Sequence, residues 1–382
     1  MKKLKIFHVI AFVGLVALLG VIPFITTFHA TDEDKNSNGG MPRITETSIL
    51  IESIDSIDPK DIDLKETECT PVPVLPICPY QRSQERAQAR QMAQVSSLFN
   101  SPVPSTVISS RLANQIQANN YTFTARDGRT ISVEYTFPQN ITTDTRIVFV
   151  FHGMGRGRVT QQLRVLSSHA NVIAIAPQFT AEQFPSSDYQ FIGVGNNLHN
   201  PENWTSAIID DIYLDFLERF NLPMGKYIML GHSAGGQFVH RSVIFSQSEF
   251  LDFGIAANAG SYTLPDMDLN YNQRGIGNLY HLHGNLINSN FGRRLYILVG
   301  SQDNDPDCCC LARNDTLDLQ QGDNRFDRAF TFYLVSRDHT QQHNLPFNWE
   351  LVIMDGFAHS LDIRLVIDIL LGLYQPQNPR ID

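Results

Sequence analysis

The sequence predicts an α/β fold with a mostly parallel central sheet, an N-terminal antiparallel hairpin and helices on both faces. From about residue 119 onward, short apolar runs alternate with helix-compatible segments, which is typical of this fold class. The runs are rich in β-branched residues and apolar on both faces, as buried parallel strands are. They cover residues 146–151, 172–176, 227–230, 253–257, 295–299 and 349–354.

The hairpin and the helices are predicted from periodicity. Residues 121–124 and 131–135 alternate with period two around Asp127-Gly128, a pair that favours a tight hairpin turn. Residues 204–220 form an amphipathic helix pattern, residues 237–245 are helix-compatible, and residues 361–374 close the domain. We therefore expect the hairpin first, followed by parallel strands with crossovers.

Composition excludes several classes of protein. The 382 residues carry 29 Lys and Arg against 39 Asp and Glu, for a formal net charge of −10. Nucleic-acid binding needs a basic face to neutralise phosphates, so no nucleic-acid partner is expected. A hydrophobic fraction of 42% excludes wholesale disorder.

The N-terminal segment, residues 1–30, resembles a signal-anchor or a signal peptide. A basic start, Met1 to Lys5, precedes an almost continuous apolar run over residues 6–28. That run exceeds the 7–15 residues of a usual secretory signal and approaches the ~20 residues that span a bilayer. The best cleavage candidate, Phe28-His29-Ala30, has a bulky Phe where a small residue is preferred. An uncleaved anchor is favoured over a cleaved signal, and either one exports the remainder, membrane-anchored or secreted.

Residues 31–105 read as a tether. This stretch is acidic between residues 55 and 68 and Pro-rich between residues 71 and 79, and residues 81–99 have the composition of a surface helix. After export, Cys69 and Cys78 could close a small loop or reach the Cys308-Cys309-Cys310 cluster, and five Cys in total leave at least one without an intrachain partner. Residues 106–382 then form the folded domain.

A glycine-rich turn carries the strongest signal for chemistry. Gly231-His232-Ser233-Ala234-Gly235 lies between the predicted strand 227–230 and a helix-compatible run. A G-x-S-x-G turn at such a place lifts the serine hydroxyl above the sheet, because small residues at both ends permit a sharp reversal. The N-terminus of the following helix also directs free N–H groups at an oxyanion.

With these motifs the chain resembles the α/β-hydrolase fold family over residues 120–376. The resemblance rests on the elbow 231–236, the strand and His-Gly loop 148–155, and a late His after the last strand. It implies Ser233 as nucleophile, and Ala234 and Met154 as N–H donors to the oxyanion. The C-terminal third is also similar to polyhydroxyalkanoate depolymerases and feruloyl esterases, through residues 261–265, 300–303, 321–322, 324–326 and 347–349.

The base and the acid are assigned by position. His359 follows the predicted strand 349–354 and precedes a helix, whereas His281 and His283 lie before the strand 295–299, and His339 and His343 lie in a predicted polar loop. His359 is therefore the expected general base. For the acid, the family's G-x-x-D spacing favours Asp303, with Asp305 as its rival. The alternate aspartates 303, 305 and 307 resemble a calcium loop only weakly, because the Gly and terminal Glu of an EF-hand are missing.

These expectations together describe an exported serine hydrolase that cleaves small-molecule or polymeric carboxylic esters without a cofactor or a metal. The oligomeric state and the substrate-binding residues are left open. An apolar entrance could be supplied by four aromatic residues, which could equally be ordinary core packing: Phe179, Phe184, Tyr189 and Phe191. The alternative function is a catalytically silent surface-binding domain that keeps the fold.

The anchor prediction has a direct test in fractionated cells. We expect the full-length chain to stay with the membrane pellet through a high-salt wash and to be released by detergent, because an apolar run of this length partitions into the bilayer. A soluble protein in the medium whose mature N-terminus lies near Thr31 would show that the segment is a cleaved signal.

Overall fold

The computed structural model describes residues 12–13, 24–25, 116–307 and 311–375. The chain divides into two units, residues 1–72 and 73–382. In the first unit, β1 (Phe12–Val13) pairs antiparallel with β2 (Phe24–Ile25). The rest of the predicted anchor, the tether with its helix, and the five cysteines lie outside the described residues. Within the described ranges, no helix has the length and apolar character needed to cross a membrane.

A single eight-stranded sheet organises the second unit, in the order β10-β9-β8-β7-β5-β6-β4-β3. β3 and β4 form an antiparallel hairpin, and β4 also pairs antiparallel with β6. All the other pairings are parallel. The predicted fold class is therefore confirmed. The strands are β3 (Ala118–Thr124), β4 (Thr130–Thr136), β5 (Arg146–Phe151), β6 (Val172–Gln178), β7 (Tyr227–His232), β8 (Leu251–Ala257), β9 (Arg294–Gly300) and β10 (Trp349–Met354).

Helices cover both faces of this sheet. They are α1 (Thr160–His169), α2 (Thr205–Phe220), α3 (Ala234–Phe245), α4 (Gly277–Asn290), α5 (Asp315–Gln321), α6 (Arg325–Gln342) and α7 (Ile363–Leu371). Side chains of α2, α3, α4 and α6 share one buried cluster with Phe149 and Ile297, while those of α1 and α7 share the other with Val148 and Leu298. Neighbouring strand residues thus point to opposite cores, as the period of two requires.

The assignment of His339 and His343 to a polar loop is wrong. His339 lies within α6, and His343 follows that helix as its C-terminal cap. The helix contains many charged residues, and two of its arginines, Arg325 and Arg328, are fully buried. An apolar stripe is therefore weak in the sequence of α6, since part of its buried face is charged.

The aromatic segment that follows β6 is core rather than entrance. Phe179, Phe184 and Tyr189 are completely buried, so they cannot form an exposed apolar mouth. Phe179 packs against Phe184 with ring centroids 4.7 Å apart and against Phe238 of α3 at 5.7 Å. The alternative interpretation of these residues as core packing is the correct one.

Candidate active site

Ser233 sits in a strained turn between β7 and α3. Its backbone angles are φ 59° and ψ −115°, which a non-glycine residue seldom adopts. A Cβ atom on Gly231 would lie 2.2 Å from the Gly235 oxygen, so only glycine allows the chain to reverse so tightly here. The Ser233 N–H donates to the Ala257 oxygen at 2.9 Å, which ties the turn to the end of β8.

The structure brings Ser233, His359 and Asp303 together. The Ser233 Oγ lies 3.1 Å from Nε2 of His359, and Nδ1 of His359 lies 2.8 Å from Oδ2 of Asp303. The three residues follow β7, β10 and β9 respectively, so the carboxyl edge of the parallel sheet gathers side chains that are far apart in sequence. The His359 side chain is 26% exposed whereas that of Asp303 is 2% exposed, so the path runs from a partly exposed imidazole to a buried carboxyl group.

Besides His359, Asp303 has a charged neighbour, Arg325, that sequence reasoning missed. The Arg325 guanidinium lies 3.4 Å from Oδ1 of Asp303, and both side chains are almost fully buried. The Phe326 N–H donates to the Asp303 backbone oxygen at 3.1 Å. One carboxyl oxygen therefore faces His359 and the other faces Arg325, and rotating the group would break both contacts. The only hint in the sequence was the run 324–326 within the family resemblance.

The rival site residues lie elsewhere or face other groups. Asp305 is exposed, and its Oδ1 accepts the N–H of Asp307 at 2.9 Å. His281 and His283 lie in α4, and His283 contacts the Leu198 backbone oxygen at 2.7 Å. The rings of His339 and His343 pack on each other, with centroids 4.3 Å apart.

The His-Gly loop after β5 lies beside Ser233. A Cβ atom built on Gly153 would be 3.9 Å from the Ser233 Cβ. Burial lowers the pKa of His152 to about 4, so its ring is neutral and accepts the Phe179 N–H through Nε2 at 3.1 Å. The Tyr189 hydroxyl donates to the His152 backbone oxygen at 2.6 Å. The buried aromatic segment thus fixes this loop.

The two expected N–H donors occupy suitable elements. Ala234 is the first residue of α3, so its N–H has no partner within the helix and points out of the positive helix end. Met154 lies in the His-Gly loop and is 46% exposed as a residue. The first residue of α3 and the His-Gly loop therefore both lie next to Ser233.

Among the described residues, no group of three or more His, Cys, Asp or Glu side chains is placed to hold a metal ion. Independently of that, the His359 side chain next to Ser233 is of a type suited to proton transfer.

Solved structures with a similar fold include two hydrolases. Poly(aspartic acid) hydrolase-1 from Sphingomonas sp. KT-1 shares 30% sequence identity with this chain at a TM-score of 0.59, over 64% of this chain and 93% of that one. The poly(3-hydroxybutyrate) depolymerase LpqC from Bordetella parapertussis shares 23% identity at a TM-score of 0.62, over 70% of this chain and 94% of that one. No protein-family model matches the sequence, and no curated protein does.

Both similar proteins are hydrolases, and the match to the first covers nearly the whole length of that protein. The strand order, the turn at Ser233 and this likeness agree with the resemblance drawn from the sequence motifs. The chain belongs to the α/β-hydrolase fold family.

Proposed function

We propose that this protein is a serine hydrolase that works by acyl transfer. The observation that carries the proposal is the continuous hydrogen-bonded path from Ser233 through His359 to Asp303 at the strained turn. A nucleophile within reach of a base, with the base oriented by a third group, is the arrangement that nucleophilic catalysis requires. A hydrolase role agrees with the 30% sequence identity to poly(aspartic acid) hydrolase-1.

In the first half of the proposed reaction, Ser233 Oγ attacks a carbonyl carbon and His359 Nε2 takes its proton. Asp303 stabilises the imidazolium by accepting the Nδ1 hydrogen bond. The carbonyl electron pair moves onto oxygen, where the N–H groups of Ala234 and Met154 hold the negative charge. The tetrahedral intermediate collapses, the C–O bond to the leaving group breaks, and His359 returns the proton to the departing oxygen.

In the second half, water replaces the serine hydroxyl as the nucleophile. His359 takes a proton from water as it attacks the acyl carbon, and a second oxyanion occupies the same two N–H groups. Collapse of this intermediate breaks the bond to Ser233 Oγ, which regains its proton from His359. The two halves together consume one ester bond and one water molecule and produce one carboxylic acid and one alcohol.

We propose carboxylic esters, small or polymeric, as the substrates. The similarity to a poly(3-hydroxybutyrate) depolymerase fold agrees with this class. A second candidate is the amide bond of a polyanionic chain, because the more similar protein in sequence is a poly(aspartic acid) hydrolase. Both reactions pass through an acyl-enzyme intermediate, and they differ in whether an alcohol or an amine leaves when it forms.

We further propose that the catalytic domain works outside the cytoplasm, tethered to the membrane or secreted. The support is the basic start and apolar run at residues 1–28 together with the acidic segment that follows. An export route of this kind suits polymeric substrates that are too large to enter a cell.

Covalent labelling separates an enzyme from a silent binding domain. We expect a fluorophosphonate to modify the wild-type chain at one residue and Ser233→Ala not at all, because only an activated serine displaces fluoride at a useful rate. Ser289→Ala is the matched control, since Ser289 is an exposed serine on α4 whose hydroxyl donates to the Leu286 oxygen. Equal labelling of the wild type and Ser233→Ala, or no labelling of the wild type, would favour the silent domain.

A pair of variants distinguishes the two acid candidates. Asp303→Asn replaces the acceptor for His359 Nδ1 by an amide, which favours the wrong tautomer, so we expect kcat to fall about 10³- to 10⁴-fold. Asp305→Asn changes only an exposed turn that accepts the Asp307 N–H, and it should stay within a few-fold of the wild type. Initial rates with a p-nitrophenyl ester give both values. The reverse pattern would assign the acid to Asp305.

The substrate class is tested by comparing two bonds under one set of conditions. We expect release of p-nitrophenol from p-nitrophenyl butyrate, and soluble products from a poly(3-hydroxybutyrate) suspension, while size-exclusion chromatography finds poly(aspartic acid) undegraded. Both ester activities should disappear in Ser233→Ala. Shortening of poly(aspartic acid) with no turnover of either ester would instead select the amide candidate.

A further inference from the structure

Asn258 follows β8 directly and occupies a position that few residues tolerate. Its φ is 47°, in the left-handed region where Asn is among the favoured non-glycine residues. The residue is completely buried, and its backbone N–H donates to the Leu298 oxygen of β9 at 2.8 Å. The backbone therefore turns sharply at the carboxyl edge of the sheet and sends the side chain inward among neighbouring loops.

The side chain joins three segments that each carry a residue of the site. Its Oδ1 accepts the Gly300 N–H at 2.9 Å, and its Nδ2 donates to the Ser360 oxygen at 2.8 Å. The same Nδ2 lies 3.3 Å from Nε2 of His232. Gly300 leads into the loop of Asp303, Ser360 follows His359, and His232 precedes Ser233.

These contacts also determine the state of His232. Because the backbone N–H of Gly300 can only donate, the amide oxygen must face it, and Nδ2 must supply hydrogens to Ser360 and His232. Burial, followed by the nearby His359, lowers the pKa of His232 to about 4, which agrees with a neutral ring that accepts through Nε2. Its ring centroid is 4.7 Å from that of His359, so a neutral ring packs beside the proposed base.

We propose that Asn258 is a positioning residue that holds the nucleophile, base and acid segments in their reactive arrangement. The proposal rests on the proposed serine-hydrolase function. The hydrogen bonds of the Asn258 side chain go to the backbone of Gly300 and Ser360 and to the ring of His232, so it acts on the Ser233 hydroxyl and the His359 ring through these neighbours. A displacement of about 1 Å at reacting groups costs on the order of 100-fold in rate, so a residue that fixes three segments at once governs turnover.

Two substitutions distinguish a positioning role of Asn258 from a contribution to the stability of the fold alone. Asn258→Asp keeps the size, the tolerance for positive φ and an acceptor for Gly300, but it places a carboxylate oxygen against the Ser360 oxygen and His232 Nε2. Asn258→Gly keeps the backbone conformation and removes all three contacts. Asn221→Asp is the matched control, because Asn221 has φ 48° at the exposed end of α2, before the opposite end of β7.

The experiment measures kcat per active site. The full-length chain is titrated to completion with a fluorophosphonate, and the rate of p-nitrophenyl butyrate hydrolysis is divided by the labelled fraction. We expect kcat per labelled site to fall about 100-fold in Asn258→Asp and Asn258→Gly, with KM changed by less than about threefold, and Asn221→Asp to match the wild type.

The outcomes that overturn the proposal differ from those that overturn the enzyme assignment. If either variant keeps a wild-type kcat per labelled site and loses only the labelled fraction, Asn258 supports folding and does not position the site. A wild-type chain that does not label at all contradicts the serine-hydrolase function itself.

Discussion

Ser233 lies in a strained turn between β7 and α3, next to the side chain of His359. A non-glycine residue at φ 59° and ψ −115° costs on the order of 1–3 kcal/mol, so the surrounding fold must hold it in place. Three features hold the turn: the close approach of Gly231 to Gly235, the hydrogen bond from Ser233 to Ala257, and the helix α3, which is buried along its whole length. The same turn lifts the hydroxyl above the sheet and aims the N-terminus of α3 at the space beside it.

Buried polar contacts hold the acid of the proposed site, Asp303, in place. Asp303 lies between His359 and Arg325, with almost no exposure for the carboxyl group or the guanidinium. Burying an ion pair costs desolvation free energy, and removing one partner leaves an uncompensated buried charge. The two groups therefore have to stay in contact in the folded state. For the proposed acyl transfer, the orientation of His359 therefore depends on two groups, Asp303 and Arg325, that are buried without a substrate.

The aromatic segment after β6 plays a comparable part for the His-Gly loop. Tyr189 stacks on His152 with ring centroids 4.6 Å apart and also binds its backbone oxygen. Arg156 donates to the Phe179 oxygen at 2.7 Å and lies over the Tyr189 ring. These contacts couple the loop to the hydrophobic core.

Sequence patterns predicted the strands of the sheet and the turn because both carry strong local signals. The β-branched runs and the glycines around Ser233 can be recognised from the local sequence, without knowledge of which distant residues they contact. The position of Asp303 came from family spacing, and the catalytic roles of Ser233, His359 and Asp303 stay a proposal. Arg325 and Asn258 were missed because their importance lies in partners far along the chain, and α6 was missed because its buried face carries charge. The aromatic residues at 179–191 were ambiguous, since composition alone does not distinguish a core from an entrance.

We infer that Ser233, the end of α3 and the His-Gly loop form one oxyanion-binding acyl-transfer site. A crystal structure of the protein after reaction with a fluorophosphonate tests this arrangement. We expect phosphorus bonded to Ser233 Oγ and a phosphoryl oxygen about 2.7–3.1 Å from the N–H groups of both Ala234 and Met154. An adduct on another residue, or a phosphoryl oxygen turned away from both donors, would contradict it.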